Sequence, residues 1–136
     1  MAIWVKGAAA TQADANDLVG IATAFHTDAD VQDNVSHAMG YIAAYGGAEG
    51  ARKLLAAGGH SVIVAALGTF STNARVLHRA CGALHYIAGS GVADAKAAIC
   101  AVDGVMDKLR QASDVMRAAC MGDSAVLVLG QLEEFK

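Results

Sequence analysis

The sequence contains no proline in its 136 residues, where average usage is about 5%. Nothing therefore forbids long uninterrupted helices, and the fifteen glycines are left to punctuate the chain. Aromatic residues are also scarce, at 5%, although hydrophobic residues reach 55%. The apolar content is mostly Ala with Val, Leu and Ile, thin side chains that let helices approach closely. An all-helical chain is expected. Its length suits one domain with a continuous core and is too short for two ordinary ones.

Other absences exclude classes of function. The net charge of −3 and pI near 5.9 offer no basic field for a phosphate backbone, and no run of Lys and Arg is interleaved with aromatics. A nucleic-acid partner is not expected. No apolar run is longer than that of residues 62–67, far below the roughly 18 residues of a membrane span, and Lys6 interrupts the start too soon for a secretory signal. No membrane role is expected, and the reading is a cytoplasmic, reducing location. Cys81, Cys100 and Cys120 stand at unrelated spacings without a CxxC pair, against a disulfide framework or a zinc knuckle. Reduced, mostly buried thiols are expected.

What is present is a repeat. Val31, Ala38, Met39 and Ile42 recur 45 positions later as Val76, Ala83, Leu84 and Ile87, and 45 later again as Met121, Val128, Leu129 and Leu132. No gap is needed. A period between 20 and about 50 residues marks units that cannot bury their apolar faces alone and must stack on their neighbours. Repeats near 1–45, 46–90 and 91–136 make a single domain over 1–136.

The first unit opens with residues 2–10, read as a worn capping helix carrying Ile3, Trp4 and Val5. Residues 14–25 follow, with Leu18, Val19, Ala22 and Phe25 on one stripe. Asp28 then caps a longer helix with Val31, Val35, Ala38, Met39 and Ile42 inward, stopped by Gly46 and Gly47. The second unit places helices at 50–57 and 62–70 around the Gly58–Gly59 turn, with Phe70 answering Phe25 and Asn73 replacing Asp28 as the cap. Its third helix carries Val76, Ala80, Ala83, Leu84 and Ile87 and ends before Gly89 and Gly91. The third unit gives helices at 93–102 and 105–111 around Asp103 and Gly104. Its cap position falls on Ala118, so the last helix is expected to begin at Ser113 or Asp114 and run to about 134.

Three helices per unit, the glycine turn at Gly58 and Gly59, and Ala83, Leu84, Ile87 and Ala88 late in the third helix resemble armadillo repeats, most strongly from 46 to 88. A unit of 45 residues is slightly long for that family, and a HEAT-like variant stays open. The resemblance implies a right-handed α-solenoid of three three-helix units, whose third helices line a concave groove for a protein or peptide. In peptide-binding members an asparagine precedes the last aliphatic residue of the signature. The matching positions here are Tyr41, Tyr86 and Gln131, which speaks against the nuclear-import manner of peptide recognition. One and two turns back on the same face stand His37 and Asp33, Gly82 and His78, and Leu127 and Asp123. A mixed aromatic, polar and mildly acidic groove is expected.

Sharper chemistry does not survive inspection of the sequence. His78, Cys81 and His85 share one helix at i, i+3 and i+7, but no matched ligand elsewhere completes a metal site. Gly122, Asp123 and Ser124 spell a lipase-like start without the strand-to-helix turn that such a serine needs. The glycine pairs lack a phosphate-binding frame, and His60 stands where Val105 stands one step on. No cofactor, metal or enzymatic activity is expected. The expected function is a non-enzymatic protein-interaction module, with an assembly protein joined through bare solenoid ends as the alternative. For that alternative Val126, Leu127, Val128, Leu129 and Leu132 offer more apolar surface than one inward stripe can use, and Trp4 marks the other end. A two-fold homodimer through the last helix, with Leu127 outward and Leu129 inward, would cover it. A further repeat beyond that helix would cover the same surface.

Overall fold

The computed structural model describes residues 10–122 and 124–135, and among them the chain forms seven helices and no strand. These are α1 (Gln12–Ala24), α2 (Ala29–Ala57), α3 (Gly59–Thr69), α4 (Ala74–Ala88), α5 (Ala95–Cys100), α6 (Val105–Ala118) and α7 (Ser124–Phe135). Side-chain oxygens ahead of apolar stripes start three of them. Asp28 accepts the Val31 N–H at 3.2 Å and Asn73 accepts the Val76 N–H at 3.3 Å, so both expected caps satisfy a donor that has no partner inside its helix. Thr11 adds a capping box on α1: its hydroxyl accepts from the Asp14 N–H at 3.2 Å, and the Asp14 carboxylate accepts from the Thr11 N–H at 2.9 Å.

The 45-residue step holds down to backbone angles. Phe25 ends α1 at φ −114° and ψ 40°, and Phe70 ends α3 at φ −111° and ψ 45°. Each carbonyl then accepts from the next cap, Asp28 or Asn73, at 3.0 Å. What recurs here is a helix end rather than a core contact, since Phe25 is 54% exposed and not inward as its place on the stripe suggested. Buried Gln32 fastens the same corner by donating from Nε2 to the carbonyls of Ala22 and Phe25, both at 3.0 Å.

Gly46 and Gly47 end a helical run as expected: α2 is two helical arms joined at Gly47, whose non-helical φ of 58° and ψ of −139° suit glycine alone. Behind the kink the chain folds back so closely that a Cβ on Gly50 would overlap the Ile42 carbonyl oxygen. α3 starts earlier than expected, at Gly59, because Gly58 at φ 82° closes the preceding helix and opens the next.

The third unit departs most from the sequence reading. Ser113 and Asp114 cap nothing; they lie inside α6, which continues because Val105, Leu109, Ala112, Ser113 and Met116 form one buried stripe. The break comes at Cys120, at φ 57°, where the Met121 N–H reaches the Met116 carbonyl at 2.9 Å and the Cys120 N–H reaches Arg117 at 3.1 Å. That is a Schellman closure with cysteine where glycine is usual. α7 therefore begins only at Ser124 and Met121 falls outside it; Ala125, Val128 and Leu132 form its buried face, and Leu129 packs half-buried against the same core. α5 is likewise shorter than residues 93–102.

Packing puts α4 between α2 and α7, and α3 between α1 and α6. Asp33 and Gly40 face Arg79 and Ala83, and His78 and His85 face Gly122 and Gln131, so the first arm of α2, α4 and α7 run parallel. Leu77, Leu84 and Ile87 of α4 are fully buried, each worth about 1.5 to 3 kcal/mol of burial. The outer face of α6 is polar, with Asp107, Arg110, Gln111, Asp114 and Arg117 exposed, so this end is better covered than the apolar content of α7 suggested. No helix among the described residues is long and apolar enough to cross a membrane.

Two substitutions should move stability in opposite directions. Gly50→Ala forces α2 apart at Ile42 and is expected to lower the unfolding free energy by about 1 to 3 kcal/mol. Cys120→Gly relieves the left-handed cysteine and should raise it by about 1 kcal/mol. Urea unfolding of the three proteins checks both.

Candidate functional site: a groove on α2, α4 and α7

An open groove of about 390 Å³ lies over the α2–α4 seam and is closed on one side by α7. Its floor exists because small residues occupy the contact. A Cβ on Gly40 would stand 3.7 Å from the Ala83 Cα, ordinary contact, whereas one on Gly82 would meet nothing within 4 Å. Gly82 thus leaves its space to the groove.

Aromatic rings line the α2 wall at successive turns. His37 and Tyr41 have centroids 4.8 Å apart, and Tyr41 stacks on Tyr45 at 5.3 Å with planes 15° apart. On α4 the rings of His85 and Tyr86 are 5.2 Å apart. Tyr45 is 67% exposed and Tyr86 47%, while Leu127 completes the wall from α7 at 51%.

Of the residues expected from sequence, His37, Tyr41, His78, Tyr86 and Leu127 line one groove. Asp33 does not. It is buried beyond the groove's end, its Oδ2 2.9 Å from Arg75 Nε and its Oδ1 3.4 Å from Arg79 Nε. Oδ1 is buried without a hydrogen bond, and the charges of Arg75 and Arg79 together compensate the carboxylate. Gln131 is spent on α4: its Nε2 donates to the His85 carbonyl at 3.3 Å and its Oε1 faces His85 Nδ1 at 3.2 Å. Trp4 and Asp123 lie outside the described residues.

Lining residues missed as site residues include Tyr45, Arg79 and His85, with the hydroxyls of Ser36 and Ser124. Tyr45 was legible as the next turn after Tyr41, and His85 as two turns after His78 on one face. Arg79 gave no periodic signal, since its role comes from Asp33 across the helix seam. The expected mildly acidic character rested on Asp33, which is withdrawn into its ion pairs, and on Asp123, which lies outside the described residues; the described lining holds one arginine, three histidines and no carboxylate.

α7 sets the proton positions on two of the histidines. The Gly122 carbonyl can only accept, so His78 Nδ1, at 3.0 Å, carries a hydrogen and donates it. The Gln131 amide is oriented by its bond to the His85 carbonyl, so its oxygen accepts from His85 Nδ1–H. In both rings Nε2 is the remaining atom. The Ser124 hydroxyl donates to the His78 carbonyl at 3.1 Å and secures the start of α7 on α4. His37 is held below the usual histidine value, first by burial and then by the Arg79 charge, with Asp33 opposing. Among the described residues no cluster of three or more His, Cys, Asp or Glu could hold a metal ion. Compared with family models, curated proteins and solved structures, the chain has no match in any of the three.

Away from the groove, His60 at the start of α3 is half-buried, its Nδ1 has no hydrogen-bond partner, and burial pushes its pKa down. A histidine with a depressed folded-state pKa binds fewer protons folded than unfolded, so stability falls as pH drops from the unfolded value of about 6.5 toward the folded one. His37 acts in the same sense. The urea midpoint should therefore fall between pH 7 and pH 5. His60→Val, the residue found one step on at Val105, should flatten that slope; an unchanged slope would assign it to other groups.

Proposed function

We propose that the protein is a non-enzymatic interaction module of the armadillo kind, a right-handed α-solenoid of three 45-residue units that holds a polypeptide segment along the groove of its third helices. The observation that carries this reading is the parallel row of α2, α4 and α7 presenting Tyr41, Tyr45, Tyr86 and Leu127 on one open groove. The recurring Asp28 and Asn73 caps, the matched Phe25 and Phe70 corners and the sequence period support the repeat. Rigid aromatics suit such a surface because ordering two side-chain torsions costs little entropy while a large area is desolvated.

A library of random dodecapeptides displayed on phage and selected on the whole protein tests the reading. Selected peptides should lose about tenfold in affinity, roughly 1 to 2 kcal/mol, on Tyr86→Ala and on Tyr41→Ala, with the thermal melt little changed. Failure to select any peptide, or retention of full affinity in both variants, would remove the groove assignment. So would a melt that collapses in both, because the tyrosines would then be core residues.

A second reading, self-association, is favoured by one observation: Val126 and Leu127 are adjacent on α7 and 46% and 51% exposed. Light scattering should then give a dimer mass that Leu127→Glu reduces to a folded monomer. A wild-type chain that stays monomeric at high micromolar concentration excludes it.

A further inference from the structure

On an acidic chain, with a net charge of −3, the described lining of this groove contains no carboxylate. Its polar inventory is Arg79, the phenols of the three tyrosines, two serine hydroxyls and three imidazoles. Beyond its end the carboxylate of Asp33 is buried and shared between Arg75 and Arg79. Two guanidinium groups against one carboxylate leave a surplus positive charge at that end. At the other end the phenol of Tyr86 and the exposed ring of Tyr45 can donate hydrogen bonds but bring no negative charge. Resting on the proposed function above, we infer that the polypeptide segment held in the groove is acidic, with carboxylates set against Arg79 and the two histidines that α7 holds in place.

The histidine geometry makes the inference specific. His78 and His85 are seven residues apart on α4, about 10 Å along the helix. Each donates its Nδ1–H to α7, to the Gly122 carbonyl and the Gln131 amide oxygen, and so keeps Nε2 for other partners. A neutral ring offers a lone pair at that atom, which repels a carboxylate. A protonated ring donates to it in a charge-assisted hydrogen bond. An acidic segment therefore favours the charged rings, and its docking takes up protons. Among the described residues, the titratable or charged groups around these rings are His37, Tyr41 and Tyr45 with buried Asp33 on α2, and Arg75, Arg79 and Tyr86 on α4. From α7 the described residues of the lining add only the Ser124 hydroxyl and Leu127. No described carboxylate in the lining competes with the ligand for these protons.

Peptides from the dodecapeptide selection, restricted to those weakened by Tyr86→Ala, supply the probe. They should be enriched in Asp and Glu over the starting library, and replacing those residues by Asn and Gln should abolish most of their affinity. Arg79→Gln should weaken binding about three- to fivefold. Asp33→Asn, which frees both guanidinium groups, should strengthen it; a purely structural role for the cluster would make both variants weaken it. Calorimetry at neutral pH in two buffers of different ionisation enthalpy should show net proton uptake, reduced in His78→Gln and in His85→Gln. Groove-binding peptides with no acidic enrichment, or binding without proton uptake, would overturn this inference and leave the proposed function standing. An oligothymidylate that displaces the peptides and depends on Arg79 would overturn it in favour of a nucleic acid. A selection that yields no Tyr86-dependent peptide removes both.

Discussion

Everything in this molecule leans on α4, and α4 can serve as a shared core because its contacts are thin where they must be. Ala80, Cys81, Ala83, Leu84, Ile87 and Ala88 are buried, with Gly40 of α2 laid against Ala83. Small residues bring the backbones close enough for Leu77, Leu84 and Ile87 to fill the space behind, and close packing is what makes burial of those side chains stabilising. The same smallness leaves a hollow in front. A groove bounded by tyrosines on a floor of glycine and alanine is the outer side of a contact whose inner side is the core.

Much of this was legible in the sequence because local chemistry and the 45-residue period agreed. Asp28 and Asn73 announced helix starts, Gly58 and Gly104 announced turns, and both glycines adopt positive φ. Legibility failed where the same geometry was reached by other residues. Cys120 closes α6 in a conformation that normally signals itself by glycine, so the boundary carried no sequence mark. Ser113 looked like a cap because serine often is one, yet the inward stripe of α6 needed that position and tertiary burial overrode local preference. Gly47 ends a helical run as its sequence position indicated, but a single residue is enough for the break, so the next run begins without a loop.

The candidate site divides in the same way. Positions fixed by periodicity alone, Tyr41, Tyr86, His37, His78 and Leu127, converge on one groove. Positions whose role depends on a partner across the seam do not follow the period. Asp33 withdraws into an ion-pair cluster, Gln131 turns back to orient His85, and Arg79 enters the lining through its pairing with Asp33. Periodicity reports which face a side chain occupies, whereas charge and hydrogen bonding decide whether it stays available on that face.

The joint at Gly47 also sets how the molecule comes apart. α2 turns at Gly47 through a single non-helical residue and its two arms pack on each other at Gly50 and Ile42, so they tend to open together, whereas α4 reaches α5 through the segment 89–94. Amide hydrogen exchange should register that asymmetry as an opening unit made of α5, α6 and α7, detached at a lower free energy than α1 to α4. Because α7 supplies the acceptors for His78 and His85, each such opening releases both imidazoles to rotate and exchange tautomers. The groove that these rings line is thereby tied to the least cooperative end of the chain.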